Sequence, residues 1–392
     1  MSMFDFVGVM CLPLCVILFT NVSSSAADNS ERKRARELGI EVGTMEPGLH
    51  NAITDVPGVK VGHNTIIRGD SIRTGVTAVL PHGGNVYQEK IPAAIDVGNG
   101  FGKLAGFTQV EELGNIETPI LLTNTLSVGP VVAAVVKYVL DQPGNENVRS
   151  VNAVVGETND SYLNDIRGLH VTERDVLDAI AEASSDPVEE GSVGAGTGTR
   201  CFGFKGGIGT ASRLVPLSDT AQYTLGVLVQ SNYGGLLDIN GAPVGRELER
   251  LKKADESAAP DDGSCMIVVA TDAPLSARNL KRIARRAFHG LARTGSSMSN
   301  GSGDYAICFS TAYQIPHSSE TTVTIPPLVS NNAMTPLFRA VVEATQEAVY
   351  NSLFKATTIK GQKERVVPAI SLEEVVRICE KYDVLHLQER LK

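Results

Sequence analysis

Eight short runs, rich in β-branched residues and several of them apolar throughout, stand out in the hydrophobic pattern of the chain. Because several of these runs do not alternate apolar and polar residues, we predict strands that are covered on both faces. Such strands are typical of a sheet buried between two other layers. The predicted strands comprise residues 75–80, 93–97, 120–123, 151–155, 223–230, 266–270, 304–310 and 321–325.

Two further segments have the spacing of helices that lie on such sheets. In residues 276–294 the apolar positions recur at helical spacing, basic residues occupy the other face, and Gly295 follows as a stop signal. Thr335 followed by Pro336 predicts a helix start for the run to about residue 354. The buried face of the first segment is predicted to comprise Leu280, Ile283, Ala284, Ala287, Phe288 and Leu291.

Two short motifs predict additional helix starts. Ser371 with Glu374 has the spacing of a capping box before the last helix. Thr172 with Asp175 marks a third start, for a helix that continues through Ile180. Strands and helices that follow one another in this way indicate an α/β fold.

Composition and charge narrow the possible function classes. The chain has 392 residues, of which 42% are hydrophobic and 20% charged, so it has enough apolar material for a sizeable core. One large layered α/β domain is compatible with this length. The net charge is −9 and no long basic stripe occurs, which argues against a nucleic-acid partner. The basic run Arg32, Lys33, Arg34 and Arg36 is expected to be a solvated tether.

The N-terminus has features of an export signal. Residues 7–19 form an apolar run too short for a comfortable membrane span, and small residues follow at 23–27, so residues 1–27 are interpreted as a signal peptide. The run is preceded by Asp5 and by no Lys or Arg, which leaves a retained anchor or a cytoplasmic enzyme with an unusual leader open. Cleavage would give a periplasmic or secreted protein without stable membrane insertion; otherwise the protein would be cytoplasmic.

Neither a metal nor a cofactor is indicated. The six cysteines include no CxxC pair, and the seven histidines show no HExxH or other close ligand spacing. Cys265 and Cys308 lie in apolar runs, where buried free thiols are usual. The glycines from Gly194 to Gly198 lack the full dinucleotide fingerprint, and a backbone loop lining a pocket is the better interpretation.

The junction between Gly263 and Ser264 offers candidate chemistry. A polar segment, residues 251–263, ends abruptly at Ser264, where an apolar run begins. Gly263 presents no side chain to obstruct attack on its carbonyl and tolerates strained backbone angles, as an acyl shift to the Ser264 hydroxyl needs. Hydrolysis of that ester would free the Ser264 amine, so that one residue carries nucleophile and base. On spacing alone, Gly-Ser is more often a turn before a strand.

Motifs spread along the chain give this junction its context. They are NAITDVPGV at 51–59, VGH at 61–63, RTGVT at 73–77, GETNDSYLND at 156–165, VGAGTG at 193–198, QSNYG at 230–234, GS at 263–264, IVVATDAPL at 267–275 and GSGDY at 301–305. In this order they resemble the L-aminopeptidase/D-amidase/D-esterase and β-peptidyl aminopeptidase family of self-cleaving serine N-terminal-nucleophile hydrolases. The resemblance covers about residues 45–350, which makes it far more specific than any single motif.

This resemblance implies a fold and a chain organisation. We expect a four-layer αββα sandwich of the N-terminal-nucleophile type with family-specific connectivity, in which helices cover two central sheets. Self-cleavage would leave a large chain, residues 28–263, associated with a small chain, residues 264–392, as a heterodimer within one domain. The family's tendency also implies a homo-oligomer, namely a tetramer.

The resemblance implies roles for five residues. Ser264 is expected to be the nucleophile of self-cleavage and of turnover, and Asn232 to donate a hydrogen bond to the oxyanion, worth about 3 kcal/mol. Ser302 and Asp304 are expected to orient Ser264 and assist proton transfer. Some members have Glu at the latter position, so the contact that Asp304 makes stays open. Tyr162 matches a tyrosine whose hydroxyl would supply a second hydrogen bond.

A buried carboxylate is the natural partner of a substrate's protonated N-terminal amine. Glu157 is the first candidate and Asp160 the second, although a surface or capping carboxylate is at least as common for either. Without the resemblance, Asn232 would more often be a turn former, and residues 300–304 would be ordinary hairpin chemistry.

The predicted reaction is release of N-terminal residues from peptides, amides or esters through an acyl-enzyme, with the preference among β-, D- and L-amino residues left open. One alternative is an ornithine acetyltransferase-like acyl transfer, which uses a threonine nucleophile where this junction has serine. The other is a catalytically silent binding protein of the same fold. The presence of Ser264, Asn232 and Ser302 argues against that loss of catalysis.

Overall fold

A computed structural model of the protein describes residues 32–251, 263–318 and 322–390. The interpreted signal peptide lies outside the described residues, and so do residues 252–262 of the polar segment before Ser264. Within the described part of the chain, no helix has both the length and the apolar character needed to cross a membrane.

Two sheets form the centre of the molecule. The first has the strand order β1-β2-β5-β6, and the second has the order β13-β3-β12-β11-β10-β9, with β4 paired to β3. The strands are Lys60–Arg68 (β1), Ile72–Leu80 (β2), Glu89–Gly100 (β3), Asn115–Ile116 (β4), Ile120–Asn124 (β5), Val154–Thr158 (β6), Arg200–Cys201 (β7), Phe204–Lys205 (β8), Gly207–Ser218 (β9), Ala221–Asn232 (β10), Ser264–Thr271 (β11), Gly303–Ser310 (β12), Ile315–Pro316 (β13), Ile359–Lys360 (β14) and Val366–Val367 (β15).

Helices cover the outer face of each sheet. Helices α2 and α3 pack on the first sheet, and α5 and α6 pack on the second. The helices are Phe107–Leu113 (α1), Val128–Leu140 (α2), Glu173–Ala181 (α3), Val244–Leu251 (α4), Ala277–Arg293 (α5), Thr335–Phe354 (α6), Leu372–Lys381 (α7) and Leu387–Arg390 (α8).

Three hydrophobic cores separate the four layers. Successive residues of one strand point to opposite faces, so Leu121 of β5 packs toward α2 and α3 while Leu122 packs between the two sheets. In β11, Val268 lies between the sheets and Ile267 faces α5 and α6. Both faces of these strands are therefore buried, which explains their unbroken apolar sequence and confirms the αββα sandwich.

The helix signals in the sequence are largely confirmed. Helix α5 begins after Ser276, whose side chain accepts a hydrogen bond from the Asn279 amide, and all six residues predicted for its apolar face are buried. Gly295 has a φ of 99°, which suits glycine and ends the helix. Helix α6 begins at Thr335 and ends at Phe354, as predicted. Ser371 caps α7 by accepting from the Glu374 amide.

The strand predicted at residues 321–325 is wrong. Residue 321 lies outside the described residues, and residues 322–330 are in neither helix nor strand. Val323 and Ile325 are 38% and 46% exposed. Their β-branched side chains favour extended backbone, but strand formation depends on packing against neighbouring strands, and this segment lies on none of the sheets described.

The basic run near the N-terminus is not the solvated tether that its charge pattern predicts. Arg32 donates to the carbonyl oxygens of Phe354 and Ile370 at 2.6 and 2.9 Å. Arg34 pairs with the buried Glu190 at 2.7 Å, and Arg36 pairs with the buried Glu347 at 3.0 Å. These partners come from distant parts of the chain, which is why the run by itself gives no sign of them.

Candidate active site

Ser264 is the first residue of β11, a central strand of the second sheet. It lies opposite Asn232 of β10 and opposite Gly303 of β12 in the strand register. Its hydroxyl donates to the carbonyl oxygen of Gly263 at 2.7 Å. The backbone amide of Gly303 lies 3.2 Å from the Ser264 hydroxyl oxygen and 3.2 Å from the same Gly263 carbonyl oxygen. The predicted nucleophile therefore lies beside the carbonyl it would attack.

Gly263 is required by space rather than by backbone strain. A Cβ added at Gly263 would lie 2.2 Å from the carbonyl oxygen of Asn232 and 2.3 Å from the Cα of Tyr233. Its φ is outside the left-handed region, so the sequence argument from strained backbone angles does not apply. The backbone at the end of β10 passes so close to residue 263 that a side chain does not fit there.

Asn232 ends β10 with its amide held in one orientation. Its Oδ1 accepts a hydrogen bond from the Arg200 amide at 2.9 Å. Because this bond fixes which end of the amide is the oxygen, the Nδ2 group is left to donate a hydrogen bond. Stabilising an oxyanion requires such a donor. Asn232 lines the cleft that contains Ser264, and its position in a central strand excludes the turn-former interpretation.

Ser302 and Asp304 lie at the start of β12 and are buried. Because β12 runs parallel to β11, the hairpin interpretation of residues 300–304 is wrong. Asp304 lies opposite Cys265, the residue after the nucleophile. Among the described residues, neither the Ser302 hydroxyl nor either Asp304 oxygen has a hydrogen-bond partner, so the structure does not join them directly to Ser264 in the uncleaved chain.

The environment of Asp304 changes its acidity. Burial raises the pKa of Asp304 to about 6, and the nearby Ser302 hydroxyl and Cys265 amide limit that rise. A carboxyl group with such a pKa changes its protonation state close to neutral pH. This property suits a group that assists proton transfer.

Tyr162 lies in the same cleft, and its ring contacts two guanidinium groups. The Cζ atom of Arg200 is 3.7 Å from the centre of its ring, and that of Arg365 is 4.7 Å from the centre. Arg365 also donates to the Tyr162 carbonyl oxygen at 3.2 Å. These contacts hold the ring at the cleft wall, and sequence reasoning misses both arginines because neither belongs to a recognisable motif.

Glu157 of β6 is the cleft carboxylate. It is buried, and its Oε1 accepts from the Lys103 amide at 3.0 Å while its Oε2 accepts from the Thr125 hydroxyl. Burial raises the pKa of Glu157, and these two hydrogen bonds oppose the rise. Asp160, the second candidate, is buried beside Asn164 and does not line the cleft. Burial raises the pKa of Asp160 to about 7.

The cleft encloses about 310 Å³ and brings five predicted residues together, namely Gly263, Ser264, Asn232, Tyr162 and Glu157. A larger cavity of about 590 Å³ lies elsewhere, lined by Glu41, Asp238 and Arg293 among others, and contains none of the predicted site residues. Within the described part of the chain, no group of three or more His, Cys, Asp or Glu side chains is placed to hold a metal ion.

The loop from Gly194 to Gly198 does not line the cleft, in contrast to the sequence interpretation. It is buried and packs against β1, β2, β5 and β9. A Cβ added at Gly196 would lie 2.6 Å from the Ile208 nitrogen. The glycines therefore allow close packing, and the cleft wall is formed by Arg200, which follows the loop.

Comparisons with known proteins agree with this geometry. The model of peptidase family S58 matches residues 51–367. The β-peptidyl aminopeptidase BapA of Sphingosinicella microcystinivorans is 41% identical, over 91% of this chain and 94% of that protein. The structure of the PH0078 protein from Pyrococcus horikoshii OT3 matches with a TM-score of 0.84 and 48% identity, over 89% of this chain and 99% of the other.

A second solved structure connects the fold to a mechanism class. The L-aminopeptidase D-Ala-esterase/amidase from Ochrobactrum anthropi, described as a variant of the Ntn hydrolase fold, matches with a TM-score of 0.83 and 37% identity. The match covers 90% of this chain and 99% of the other. The chain therefore belongs to peptidase family S58 and has the N-terminal-nucleophile hydrolase fold.

Proposed function

We propose that this aminopeptidase and amidase cleaves itself between Gly263 and Ser264, and that Ser264 is then the nucleophile of turnover. The proposal rests on one observation above all, the 2.7 Å contact between the Ser264 hydroxyl and the Gly263 carbonyl oxygen. The Gly303 amide lies against both of these oxygens. Nucleophile, target and a donor for the developing charge are thus assembled in the uncleaved chain.

Self-cleavage begins with attack of the Ser264 oxygen on the Gly263 carbonyl carbon. Negative charge develops on the Gly263 oxygen, which faces the Gly303 amide. The C–N bond then breaks, the nitrogen takes up the proton that the Ser264 hydroxyl gives up, and an ester links Gly263 to the Ser264 side chain. Water hydrolyses this ester, which leaves a carboxylate on Gly263 and a free amine on Ser264.

In turnover the free amine of Ser264 accepts the hydroxyl proton as the oxygen attacks the substrate carbonyl. Asn232 donates to the oxyanion through Nδ2, and Tyr162 supplies a second hydrogen bond. Glu157 binds the protonated N-terminal amine of the substrate. The leaving amine departs with a proton, and water then releases the N-terminal residue from the acyl-enzyme. Ser302 and Asp304 act beside β11 as groups that position Ser264 and exchange protons.

The two products of self-cleavage stay together because the cut falls at a strand end. β11 remains hydrogen-bonded to β10 and β12 along its whole length, and its residues are buried in the sheet. The large chain to Gly263 and the small chain from Ser264 therefore form a heterodimer. Export of the precursor and assembly into a tetramer are predictions from the sequence.

The test compares wild type, Ser264→Ala and a control, Ser218→Ala, which changes an exposed serine at the end of β9. Intact mass under denaturing conditions should show two fragments meeting at Gly263 and Ser264 in wild type and control, and one chain in Ser264→Ala. Hydrolysis of β-alanyl, D-alanyl and L-alanyl p-nitroanilides should follow the same pattern. Processing or amidase activity in Ser264→Ala would refute the proposed nucleophile.

A further inference from the structure

Arg200 lies on the wall of the cleft that contains Ser264, at the start of β7. Its backbone amide donates a hydrogen bond to Oδ1 of Asn232, so the backbone of Arg200 lies next to the proposed oxyanion donor. Its side chain is half-buried and contributes to the lining of the cleft. None of the catalytic steps above uses this guanidinium group.

The guanidinium of Arg200 has no anionic partner among the described residues. Three arginines elsewhere in the fold do pair with buried carboxylates: Arg34 with Glu190, Arg36 with Glu347, and the fully buried Arg213 with Glu343 and Glu347. The guanidinium of Arg200 instead lies over the Tyr162 ring, with its Cζ atom 3.7 Å from the ring centre. A stacked guanidinium keeps its N–H groups at the edge free for a planar, two-oxygen acceptor.

A second guanidinium adds positive charge at the same place. Arg365 also contacts the Tyr162 ring, and it makes no ion pair with any described carboxylate. Burial lowers the pKa of Arg200, Tyr162 opposes that change, and the positive charge of Arg365 adds to it. Two cations that contact one ring repel each other, and an anion bound beside Arg200 would offset the repulsion.

The cleft therefore has charges of both signs. Glu157 supplies the buried negative charge, and Arg200 the unpaired positive charge. Of the residues that the structure describes, the exposed Lys103, next to Glu157, is the other cation that lines the cleft. A short peptide is a zwitterion, with an ammonium group before the scissile bond and a carboxylate soon after it. A volume of about 310 Å³ falls at the small end of the range for ligand pockets, roughly 300–1,000 Å³.

We propose that Arg200, supported by Arg365, binds the free C-terminal carboxylate of the substrate, which makes short peptides, dipeptides above all, the preferred substrates over uncharged amides and esters. This inference rests on the proposed function, because it assumes that Ser264 attacks a peptide bound in this cleft. It adds a specificity-determining residue that recognises the leaving portion, while Glu157 recognises the N-terminal amine.

The experiment measures kcat/KM for a dipeptide and for the same dipeptide with an amidated C-terminus, using the N-terminal residue that wild type hydrolyses best. Wild type should prefer the free carboxylate by about tenfold or more, because a charge-assisted hydrogen bond contributes that much. Arg200→Gln should reduce the preference by about 10- to 100-fold, mainly through KM of the dipeptide. Arg200→Lys should retain part of the preference, and Lys103→Gln should retain all of it.

Several outcomes would overturn the inference. They are equal turnover of both substrates by wild type, an unchanged ratio in Arg200→Gln, and a ratio that responds to Lys103→Gln instead. If Arg200→Gln slows only self-cleavage, as followed by intact mass, the guanidinium serves the precursor and not the substrate. If Arg200→Gln does not fold, the comparison of the free and the amidated dipeptide with wild type still tests the inference, because equal kcat/KM values would contradict it. Failure of the proposed function is a separate result, because wild type would then turn over neither substrate.

Discussion

Two buried polar clusters of this protein are organised in opposite ways. Around Arg213 of β9, the guanidinium contacts Glu343 and Glu347 of α6 at 3.2 and 2.7 Å, and the Ser212 and Val42 carbonyl oxygens at 2.7 and 2.9 Å. Around Ser264, the Ser302 hydroxyl and both Asp304 oxygens have no hydrogen-bond partner among the described residues. In the first cluster the charged groups are paired with each other. In the second, the Ser302 hydroxyl and the Asp304 carboxyl group have hydrogen-bonding capacity that is not used.

The acidities of the carboxyl groups follow this difference. Burial by itself would raise the pKa of Glu347, but Arg213 and Arg36 bring it below its ordinary value. Asp304 lacks such a cation, so burial raises its pKa to about 6. Paired buried charges are typical of structural support, whereas unpaired groups with raised pKa values are typical of catalytic sites. Four substitutions test this distinction.

Arg213→Ala should have the largest effect, and it should act on stability. Removing the cation leaves Glu343 and Glu347 buried without their partner, which costs about 3–5 kcal/mol of unfolding free energy. Urea unfolding in a Ser264→Ala background, where every variant is a single chain, measures this cost without interference from self-cleavage. A loss below about 1 kcal/mol would mean that the cluster is not structural support.

Asn232→Ala should lower kcat by about 100- to 1,000-fold, because it removes a donor to the oxyanion. Its urea midpoint should change far less than that of Arg213→Ala, since the main bond lost is the one from the Arg200 amide. Steady-state kinetics of the cleaved enzyme provides the measurement. A near-normal kcat would assign the oxyanion to backbone donors instead.

Asp304→Asn should change the dependence of stability on pH. The carboxyl group has a pKa of about 6 in the folded chain and an ordinary value of 3.8, so the folded state binds its proton more tightly. The contribution of Asp304 to stability is therefore present at low pH and is lost as pH rises from about 4 to about 6. Relative to the parent, Asp304→Asn should gain up to about 3 kcal/mol above this window. A constant difference from pH 4 to pH 8 would contradict the raised pKa.

Ser302→Ala should have the smallest effect on stability, within about 1 kcal/mol, because the hydroxyl has no partner at hydrogen-bond geometry and interacts only weakly with Asp304. Self-cleavage and turnover should nevertheless slow. The matched control is Ser231→Ala, which removes a buried hydroxyl bonded to Ser352 at 2.7 Å. If Ser302→Ala destabilises the chain more than Ser231→Ala, the contrast between the two kinds of cluster does not hold.

Most elements that the sequence predicts are those with strong local signals. Helix α6 starts at a Thr-Pro pair and α5 starts after a capping serine, and both have the predicted bounds within a residue. The hydrophobic pattern misses β1 and β9, whose apolar residues are interrupted by glycine and polar residues. β1 and β9 are strands because they pair with neighbouring strands, and residues 322–325 are not a strand because they pair with none of the strands described.

The residues of the candidate site also differ in whether the sequence points to them. Ser264, Asn232, Tyr162 and Glu157 belong to recognisable motifs, and the structure places all four in one cleft. Arg200 and Arg365 stand in no such motif, and they become part of the site only because both pack on the Tyr162 ring. The buried partners of Arg34 and Arg36 are likewise invisible until distant segments meet.

The sequence by itself determined the layered α/β fold, the bounds of α5 and α6, and which residues are candidates for the chemistry, because those depend on local propensity and on motifs. Only the tertiary structure decided that Asn232, Ser264 and Gly303 lie side by side, since strand register joins positions far apart in the chain. It also decided why Gly263 is glycine, because the β10 backbone passes too close for a side chain. Contacts between distant segments have no signature in a local pattern, and they set the geometry of the cleft.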